Sequence, residues 1–267
     1  MDMILEGSDL AFGYAGKPLV FENISLTVEA GEVFCILGPN GVGKSTLLSC
    51  LCGLIEPDRG EIRLDGENIS SLSRRQIARS MAFVAQSQNS VFDYPVQTFV
   101  EMGCAAHLGM FAAPGKEEAE SARLALARLN IAHLAGNLMS EVSGGERQLA
   151  TIARALVQRP RLIILDEPAS HLDLGNQMRL LDTLDELAAS GFSIVFTTHV
   201  PDHADAVADR TTLMRRAHPV EIGPTRSILT ERNLSETYGI EVALSDTGHG
   251  LFAVPIRKSR RRCQHST

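Results

Sequence analysis

One stretch of the sequence has the residue types and the spacing of a phosphate-binding loop. Residues 38–46 fit the pattern G-x-x-x-x-G-K-S/T and lie between an apolar run of strand type and the start of a predicted helix. Glycines allow a tight turn whose main-chain N–H groups face one concavity, and the helix start adds further donors. Lys44 can then reach the β- and γ-phosphates of a nucleotide, and the hydroxyl of Ser45 can coordinate Mg²⁺. The predicted nucleotide-contacting residues are Gly38, Pro39, Asn40, Gly41, Val42, Gly43, Lys44, Ser45 and Thr46.

Two adjacent acidic residues follow another predicted strand. Residues 162–165 form a continuous apolar run, as expected for a strand buried on both faces, and Asp166 and Glu167 come directly after it. We expect Asp166 to hold the Mg²⁺ shell and Glu167 to be the general base that orients the attacking water. Gln86 and His199 also follow predicted strands. Gln86 is a candidate sensor of the γ-phosphate or its metal, and His199 a candidate hydrogen-bond partner of the γ-phosphate.

A second anion site is predicted at the start of a different helix. In Ser143-Gly144-Gly145, paired glycines expose main-chain N–H groups, and the serine hydroxyl and the helix dipole add to the positive potential. Because the chain has one phosphate loop, a head-to-tail dimer is one solution that uses both sites, with each nucleotide between two subunits. The residues alone do not require that arrangement. Tyr14, on a predicted turn, is a candidate adenine platform, with packing inside the protein as the alternative.

Alternating strands and helices must position these residues. The pattern predicts an α/β fold with a doubly wound, mostly parallel sheet, preceded by strands at residues 3–12 and 19–28 and interrupted by a helical insert at about residues 87–143. Ligands gather at the carboxyl ends of such strands. Gly38, Gln86, Asp166 and His199 are all predicted to lie there.

Composition limits the class of protein. The chain has 267 residues, 44% of them hydrophobic, and a formal net charge of −7, which argues against a general nucleic-acid binder. No apolar stretch reaches the roughly 18 to 20 residues that a bilayer span needs, and we expect a cytosolic protein. The basic residues in 257–267 are interpreted as a solvated, disordered tail, with a lipid-headgroup contact as the alternative. Cys35, Cys50, Cys52 and Cys104 are interpreted as reduced, buried hydrophobic residues.

Together these motifs resemble those of the ATP-binding-cassette ATPases, the nucleotide-binding subunits of ABC transporters, over nearly the whole chain. Residues 38–46 match Walker A, Gln86 the Q-loop, residues 143–148 the signature, residues 162–167 Walker B, residues 170–173 the D-loop, His199 the H-loop and Tyr14 the adenine-stacking A-loop. The sequence departs from the commoner patterns at Ala169, where threonine is usual, and at Val142, where leucine is usual. Neither departure removes a catalytic group.

The resemblance implies a P-loop NTPase of ABC-ATPase fold, with a mostly parallel core sheet, an N-terminal antiparallel β part and a helical subdomain, in a single domain over residues 1–256. It implies ATP and Mg²⁺ as cofactors, and a homodimer with two ATP molecules at its interface. In that dimer Ser143, Gly144, Gly145 and Asp173 would contact nucleotide. It also implies that hydrolysis opens the dimer and drives a membrane partner.

Several stretches resemble the ATPases of type II importers of iron(III)-siderophores, haem and cobalamin. They are residues 95–103, 170–173 and 229–240, whereas residues 197–204 resemble a related molybdate branch. The expected function is therefore to power such an importer as a peripheral subunit on the cytoplasmic face of the inner membrane. Its partners would be integral permease subunits and, indirectly, a substrate-binding protein. Phe92, Tyr94 and Phe99 are candidates for the permease contact, with internal packing as the alternative.

Three alternatives remain open from the sequence. One is a molybdate or tungstate importer ATPase, and a second is an exporter. The third is a soluble ABC ATPase acting on ribosomes, DNA ends or cluster assembly. One cassette per chain, the lack of a long coiled-coil pattern and the acidic charge weigh against the third.

Overall fold

The computed structural model describes residues 3–86, 93–108, 114–215, 220–248 and 250–256. The strands are β1 (Met3–Gly13), β2 (Leu19–Glu29), β3 (Val33–Leu37), β4 (Arg59–Leu64), β5 (Glu67–Asn68), β6 (Met81–Val84), β7 (Leu162–Leu165), β8 (Ser193–Thr198), β9 (Arg210–Leu213), β10 (Glu221–Pro224), β11 (Val242–Asp246) and β12 (Leu251–Pro255). The α-helices are α1 (Lys44–Leu51), α2 (Arg74–Ser80), α3 (Val96–Glu101), α4 (Lys116–Arg128), α5 (Gly144–Leu156), α6 (Leu174–Ala189), α7 (Pro201–Val207), α8 (Thr225–Ile228) and α9 (Glu231–Tyr238). Short 3₁₀ helices lie at Ile69–Ser71, Met102–Ala106 and Ala132–Leu134.

The central sheet has six strands in the order β10-β9-β3-β8-β7-β6. Strand β3 pairs in parallel with β8 and β9, β7 pairs in parallel with β8 and β6, and β10 is antiparallel to β9. Every residue of β3, β7 and β8 is buried, because helices and the second sheet cover both faces. The predicted α/β fold with a mostly parallel core sheet is confirmed.

The N-terminal sheet is antiparallel, in the order β2-β1-β4-β5. Its apolar face shares one hydrophobic cluster with helix α1 and with one face of the central sheet, including Leu5, Leu26, Phe34, Leu48 and Ile164. A second cluster joins the opposite face of the central sheet to α3, α4, α5 and α6. The predicted antiparallel N-terminal part is therefore confirmed, and the core sheet is held between two apolar layers.

Helices dominate the described residues between β6 and α5, as predicted for the insert. Helix α3 ends at Glu101, and the chain continues as the 3₁₀ helix Met102–Ala106. A Cβ atom on Gly103 would lie 2.0 Å from the carbonyl oxygen of Arg154, so a glycine is needed where this segment meets α5. Phe99 is buried, and the Arg154 guanidinium lies 4.5 Å from its ring centroid.

The C-terminal hairpin of β11 and β12 is not predicted by the sequence pattern. It packs beside α7 and α9, where Leu244 and Leu251 contact the second apolar cluster. The predicted tail at residues 257–267 lies outside the described residues. The four cysteines of the described chain are buried and free, as predicted, and no described helix is long and apolar enough to cross a membrane.

Candidate functional site

The phosphate loop connects the end of β3 to the start of α1 at the centre of the sheet. Gly43 precedes the helix with a φ of 114°, a left-handed conformation that favours glycine, and a Cβ there would lie 2.6 Å from Val20. The ammonium group of Lys44 is turned back into the loop. It donates hydrogen bonds to the carbonyl oxygens of Gly38, at 2.8 Å, and Pro39, at 3.1 Å. The loop therefore holds Lys44 in the concavity predicted for phosphates.

Glu167 joins Lys44 to His199. Its Oε1 lies 3.0 Å from Lys44 Nζ, and its Oε2 lies 3.1 Å from His199 Nδ1. Burial raises the pKa of the Glu167 carboxyl, but the hydrogen bond and charge of Lys44, with a further contribution from His199, more than offset it, and the net shift is downward. The sequence predicts functional positions for all three residues, and the structure brings them together. Glu167 also has a φ of 44°, which is uncommon for a non-glycine residue and is the kind of strain found at functional sites.

Thr197 fixes the two acidic residues and is missed by the sequence reasoning. Its hydroxyl donates to Asp166 Oδ1 at 2.7 Å and accepts a hydrogen bond from the main-chain N–H of Glu167, also at 2.7 Å. Strands β7 and β8 are parallel neighbours, with Leu165 paired to Phe196, which brings Thr197 beside the acids. A fully buried threonine after a run of apolar residues in β8 is the signal that points to this role.

A cleft of about 380 Å³ opens beside the phosphate loop. The predicted residues that line it are Tyr14, Asn40, Gly41, Gly43, Lys44, Ser45, Thr46, Gln86 and Glu167. Tyr14 is exposed. Its ring is nearly perpendicular to that of Phe12 at a centroid distance of 5.1 Å, and its hydroxyl lies 3.4 Å from Thr46 Oγ1. The cleft thus has an aromatic surface at one side and the lysine–glutamate pair at the other.

Oxygen donors suited to Mg²⁺ lie around this site. Ser45 supplies a hydroxyl and Gln86 an amide carbonyl in the cleft lining, and Asp166 supplies a carboxylate that Thr197 orients. Mg²⁺ prefers hard oxygen ligands and is usually held by one or two protein groups with phosphate oxygens and waters. The donor set fits that ion. Among the described residues, no group of three or more His, Cys, Asp and Glu side chains is arranged to hold a metal without a nucleotide.

The second predicted anion site has the expected helix start. Ser143 caps α5, its hydroxyl accepting a hydrogen bond from the N–H of Glu146, while the Glu146 carboxylate accepts one from the N–H of Ser143. Gly144 and Gly145 form the first turn of the helix. In the described part of the chain, Ser143, Gly144, Gly145 and Asp173 are not in the lining of the phosphate-loop cleft. The two predicted sites are therefore separate within one chain.

The signature segment contacts the start of α6. Asp173 caps that helix, accepting hydrogen bonds from the main-chain N–H of Asn176 at 2.9 Å and from its side-chain amide at 2.8 Å. A Cβ atom on Gly145 would lie 2.5 Å from the Asn176 side chain, so glycine allows the close approach. Asn176 thereby joins the D-loop residue Asp173 to the start of α5.

The aromatic residues proposed for a permease contact differ in exposure. Phe99 is buried, so internal packing is the correct alternative for this residue. Tyr94 is half-buried and packs against the second apolar cluster. Phe92 lies outside the described residues.

Comparison with known proteins gives relatives that match nearly the full length of the chain. The molybdate import ATP-binding protein MolC of Haemophilus influenzae is 38% identical over 89% of this chain and 89% of its own. The ferric enterobactin transport ATP-binding protein FepC of Escherichia coli is 35% identical over 91% of this chain and 89% of its own. The hemin import ATP-binding protein HmuV of Streptomyces coelicolor is 35% identical over 96% and 91%, respectively.

A solved structure gives the same result for the fold. An inward-facing structure of a putative metal-chelate type ABC transporter contains a chain that superposes with a TM-score of 0.84 at 36% identity, covering 96% of this chain and 98% of the other. The family model for ABC transporters matches residues 21–170. These residues include the phosphate loop, the Ser143 helix start and the acidic pair. The chain belongs to the ABC transporter family, as one of its ATP-binding, ATP-hydrolysing subunits.

Proposed function

We propose that this chain powers a membrane importer of a metal chelate, most directly an iron(III)-siderophore, haem or cobalamin. ATP hydrolysis by this chain is supported chiefly by the ion pair of Lys44 and Glu167, in which His199 contacts the second carboxylate oxygen. Import is supported by the similarity to HmuV and MolC, whose names specify import, and a metal-chelate substrate is supported by the similarity to FepC, to HmuV and to a metal-chelate type transporter. The proposed unit is one cassette over residues 1–256, with a helical subdomain at about residues 87–143.

The cleft residues and the neighbouring Asp166 and His199 have distinct proposed roles. Lys44 and the loop N–H groups bind the phosphates, and Tyr14 stacks on adenine. Glu167 accepts a proton from the attacking water, and His199 hydrogen-bonds the γ-phosphate. Ser45, Gln86 and Asp166 would hold Mg²⁺, which would supply positive charge to neutralise the charge developing on the phosphates. The arriving triphosphate replaces Glu167 as the partner of Lys44, and this exchange frees the carboxylate for the water.

A second copy of the chain completes the nucleotide site in this proposal. Ser143, Gly144, Gly145 and Asp173 lie outside the cleft of their own chain, yet Ser143 caps a helix whose first N–H groups suit an anion. A head-to-tail pair of chains places the Ser143 helix start of each opposite the phosphate loop of the other. Two ATP molecules then lie in the interface, as the family resemblance implies.

The membrane partner is proposed to be an integral permease. It would dock over the surface near Gln86 and the helical subdomain, and a substrate-binding protein would act through the permease. This assigns the chain to the cytoplasmic face of the cell membrane as a peripheral subunit. Because the formal net charge of the chain is −7, nucleic acid is not among the proposed partners.

Affinity purification from native membranes tests this proposal. A tagged Glu167→Gln variant, kept loaded with ATP in mild detergent, should co-purify a polytopic permease that mass spectrometry can identify. The matched control is Lys44→Ala, which should lose any ATP-dependent part of this association. Recovery of soluble partners only, under conditions that preserve other transporters, would replace the transport proposal with the soluble alternative.

A molybdate or tungstate importer is the second candidate. It is favoured by the 38% identity to MolC and by the resemblance of residues 197–204 to that branch. The binding protein that works with the recovered permease should be tested by calorimetry against iron(III)-siderophores, haem, cobalamin and molybdate. Binding of molybdate with no binding of the iron chelates would select this candidate. Export is less favoured, because MolC and HmuV are both named for import.

A further inference from the structure

Tyr238 contacts the main chain of His199, the residue proposed to hydrogen-bond the γ-phosphate. The hydroxyl of Tyr238 donates a hydrogen bond of 2.8 Å to the carbonyl oxygen of His199. The imidazole of the same histidine lies 3.1 Å from Glu167 Oε2. Two contacts therefore connect the last residue of α9 to the proposed general base, through a single residue.

Tyr238 is itself firmly placed. It is the last residue of α9, is half-buried, and packs against the second apolar cluster. Gly239 ends the helix in a left-handed conformation with a φ of 67°. Burial raises the pKa of the Tyr238 hydroxyl above its ordinary value, so the group stays protonated and available as a donor.

The hairpin of β11 and β12 holds the helix that begins just after His199. The main-chain N–H of Ala253 donates to Asp202 Oδ1 at 3.0 Å, and that of Leu251 donates to Asp205 Oδ2 at 2.7 Å. Both aspartates belong to α7. The C-terminal segment therefore contacts the chain around His199 in two places. The hairpin binds α7, and Tyr238 binds His199 itself.

The C-terminal segment contacts the site through His199 and α7, so a contribution of this segment to ATP hydrolysis rests on the proposed function. We infer that Tyr238 is a positioning residue for His199. The Tyr238 hydroxyl holds the main chain of His199 so that the imidazole contacts Glu167 and the γ-phosphate. A hydroxyl that acts in this way contributes to turnover and not to ATP affinity. It also contributes nothing once the imidazole is removed.

The first test compares Tyr238→Phe with Thr237→Val in steady-state ATP hydrolysis. Tyr238→Phe keeps the ring and removes the hydroxyl, and kcat should fall by about two- to tenfold with KM for ATP unchanged. Among the described residues, the Thr237 hydroxyl donates only to the Asn233 carbonyl within the same helix, so Thr237→Val should retain wild-type kcat. Wild-type kcat in Tyr238→Phe would overturn the inference, as would an equal fall in both variants.

A double-mutant cycle separates positioning from a general structural effect. In a His199→Ala background, Tyr238→Phe should have no further effect on the residual single-turnover rate, since its hydroxyl acts through the missing imidazole. A fall of the same factor in both backgrounds would contradict the inference. Should Tyr238→Phe fail to fold, Asp202→Ala replaces it, because it removes a contact between the hairpin and α7. Asp202→Ala should then lower the hydrolysis rate in the wild-type background and have no further effect in the His199→Ala background.

The cycle also distinguishes this inference from the proposed function. If His199→Ala hydrolyses ATP at the wild-type rate, the proposed role of His199 is wrong and the inference falls with it. If His199→Ala is slow and Tyr238→Phe is not, the proposed function stands and the inference alone is wrong.

Discussion

The ammonium group of Lys44 lies 3.0 Å from Oε1 of Glu167, with both side chains almost fully buried. The lysine of the phosphate loop and the proposed general base therefore neutralise each other across the cleft. A buried ion pair of this kind is costly to break by removing one partner, because the other charge is left uncompensated. A triphosphate can separate the pair at lower cost, since its own charge replaces that of Glu167 beside Lys44.

Removal of the lysine should weaken nucleotide binding. We expect Lys44→Ala to lower ATP affinity by about ten- to a hundredfold, the range for lost hydrogen bonds to a charged group. Calorimetric titration with ATP measures this, at a temperature well below the unfolding transition. Lys116→Ala, which removes an exposed lysine at the start of α4, is the matched control and should bind ATP normally. Unchanged affinity in Lys44→Ala would exclude the phosphate-loop geometry.

Removal of the Tyr14 ring should weaken binding of the nucleoside and leave phosphate binding alone. The ring is exposed at the edge of the cleft, and stacking of a base on an aromatic side chain contributes about 1–3 kcal/mol. Tyr14→Ala should therefore lower ATP affinity about tenfold, whereas Tyr14→Trp should retain it. Both variants should bind inorganic tripolyphosphate like the wild type. Equal losses for ATP and tripolyphosphate would show that Tyr14 supports the loop and does not bind adenine.

A negative charge at the start of α5 should prevent ATP-driven dimerisation without destabilising the chain. Aspartate caps helices about as well as serine, so Ser143→Asp should keep its unfolding temperature. Its charge would face the phosphates bound by the partner subunit. In a Glu167→Gln background with ATP, light scattering should then give the mass of one chain for Ser143→Asp.

The control for that experiment is Ser73→Asp. Ser73 caps α2 with the same reciprocal pattern, here with Gln76, and is not in the lining of the cleft. The Glu167→Gln protein carrying Ser73→Asp should have the mass of two chains with ATP. Dimers of equal stability in both aspartate variants would contradict the proposed sandwich arrangement.

Stability should fall in mild acid because of His203. Burial lowers the pKa of His203, whose Nδ1 lies 3.3 Å from Thr198 Oγ1, so the folded protein keeps the imidazole neutral. Below about pH 6.5 the unfolded chain binds a proton that the folded chain does not, and the free energy of unfolding falls by up to about 1.4 kcal/mol per pH unit. The loss continues until the pH passes the lowered pKa of the folded state. Urea unfolding at several pH values should show a shallower fall for His203→Asn.

The exposed His133 provides the control for this pH dependence. His133→Asn should keep the wild-type dependence, because its side chain is exposed on a short 3₁₀ helix. If His203→Asn and the wild type lose stability in parallel between pH 7 and pH 5.5, the contribution assigned to His203 is wrong.

The positions of the site residues follow from the sequence because strand ends can be read from it. Apolar runs and the residues that stop them place Gly38, Gln86, Asp166 and His199 at carboxyl ends of strands, and the structure has each residue there. At one of those strand ends, the phosphate-loop motif also predicts the chemistry, which is phosphate binding. Local patterns of this kind determine where a residue lies along its element.

Contacts between distant segments do not follow from such patterns. The Lys44–Glu167 pair and the hydrogen bonds of Thr197 depend on which strands become neighbours and on their register. The sequence pattern does not predict the hairpin of β11 and β12 for a related reason. An isolated two-stranded hairpin is only marginally stable, and this one depends on α7, whose Asp202 and Asp205 accept hydrogen bonds from its main chain.

Steady-state ATP hydrolysis by Glu167→Gln shows whether Glu167 is the general base. The amide keeps the shape of the side chain and removes the base, so kcat should fall by about 10²- to 10⁴-fold while ATP affinity is retained. Glu186→Gln, at an exposed glutamate on α6, should hydrolyse ATP like the wild type. A large loss of kcat with intact binding in Glu167→Gln is the predicted result. Wild-type turnover by that variant would show that Glu167 is not the general base.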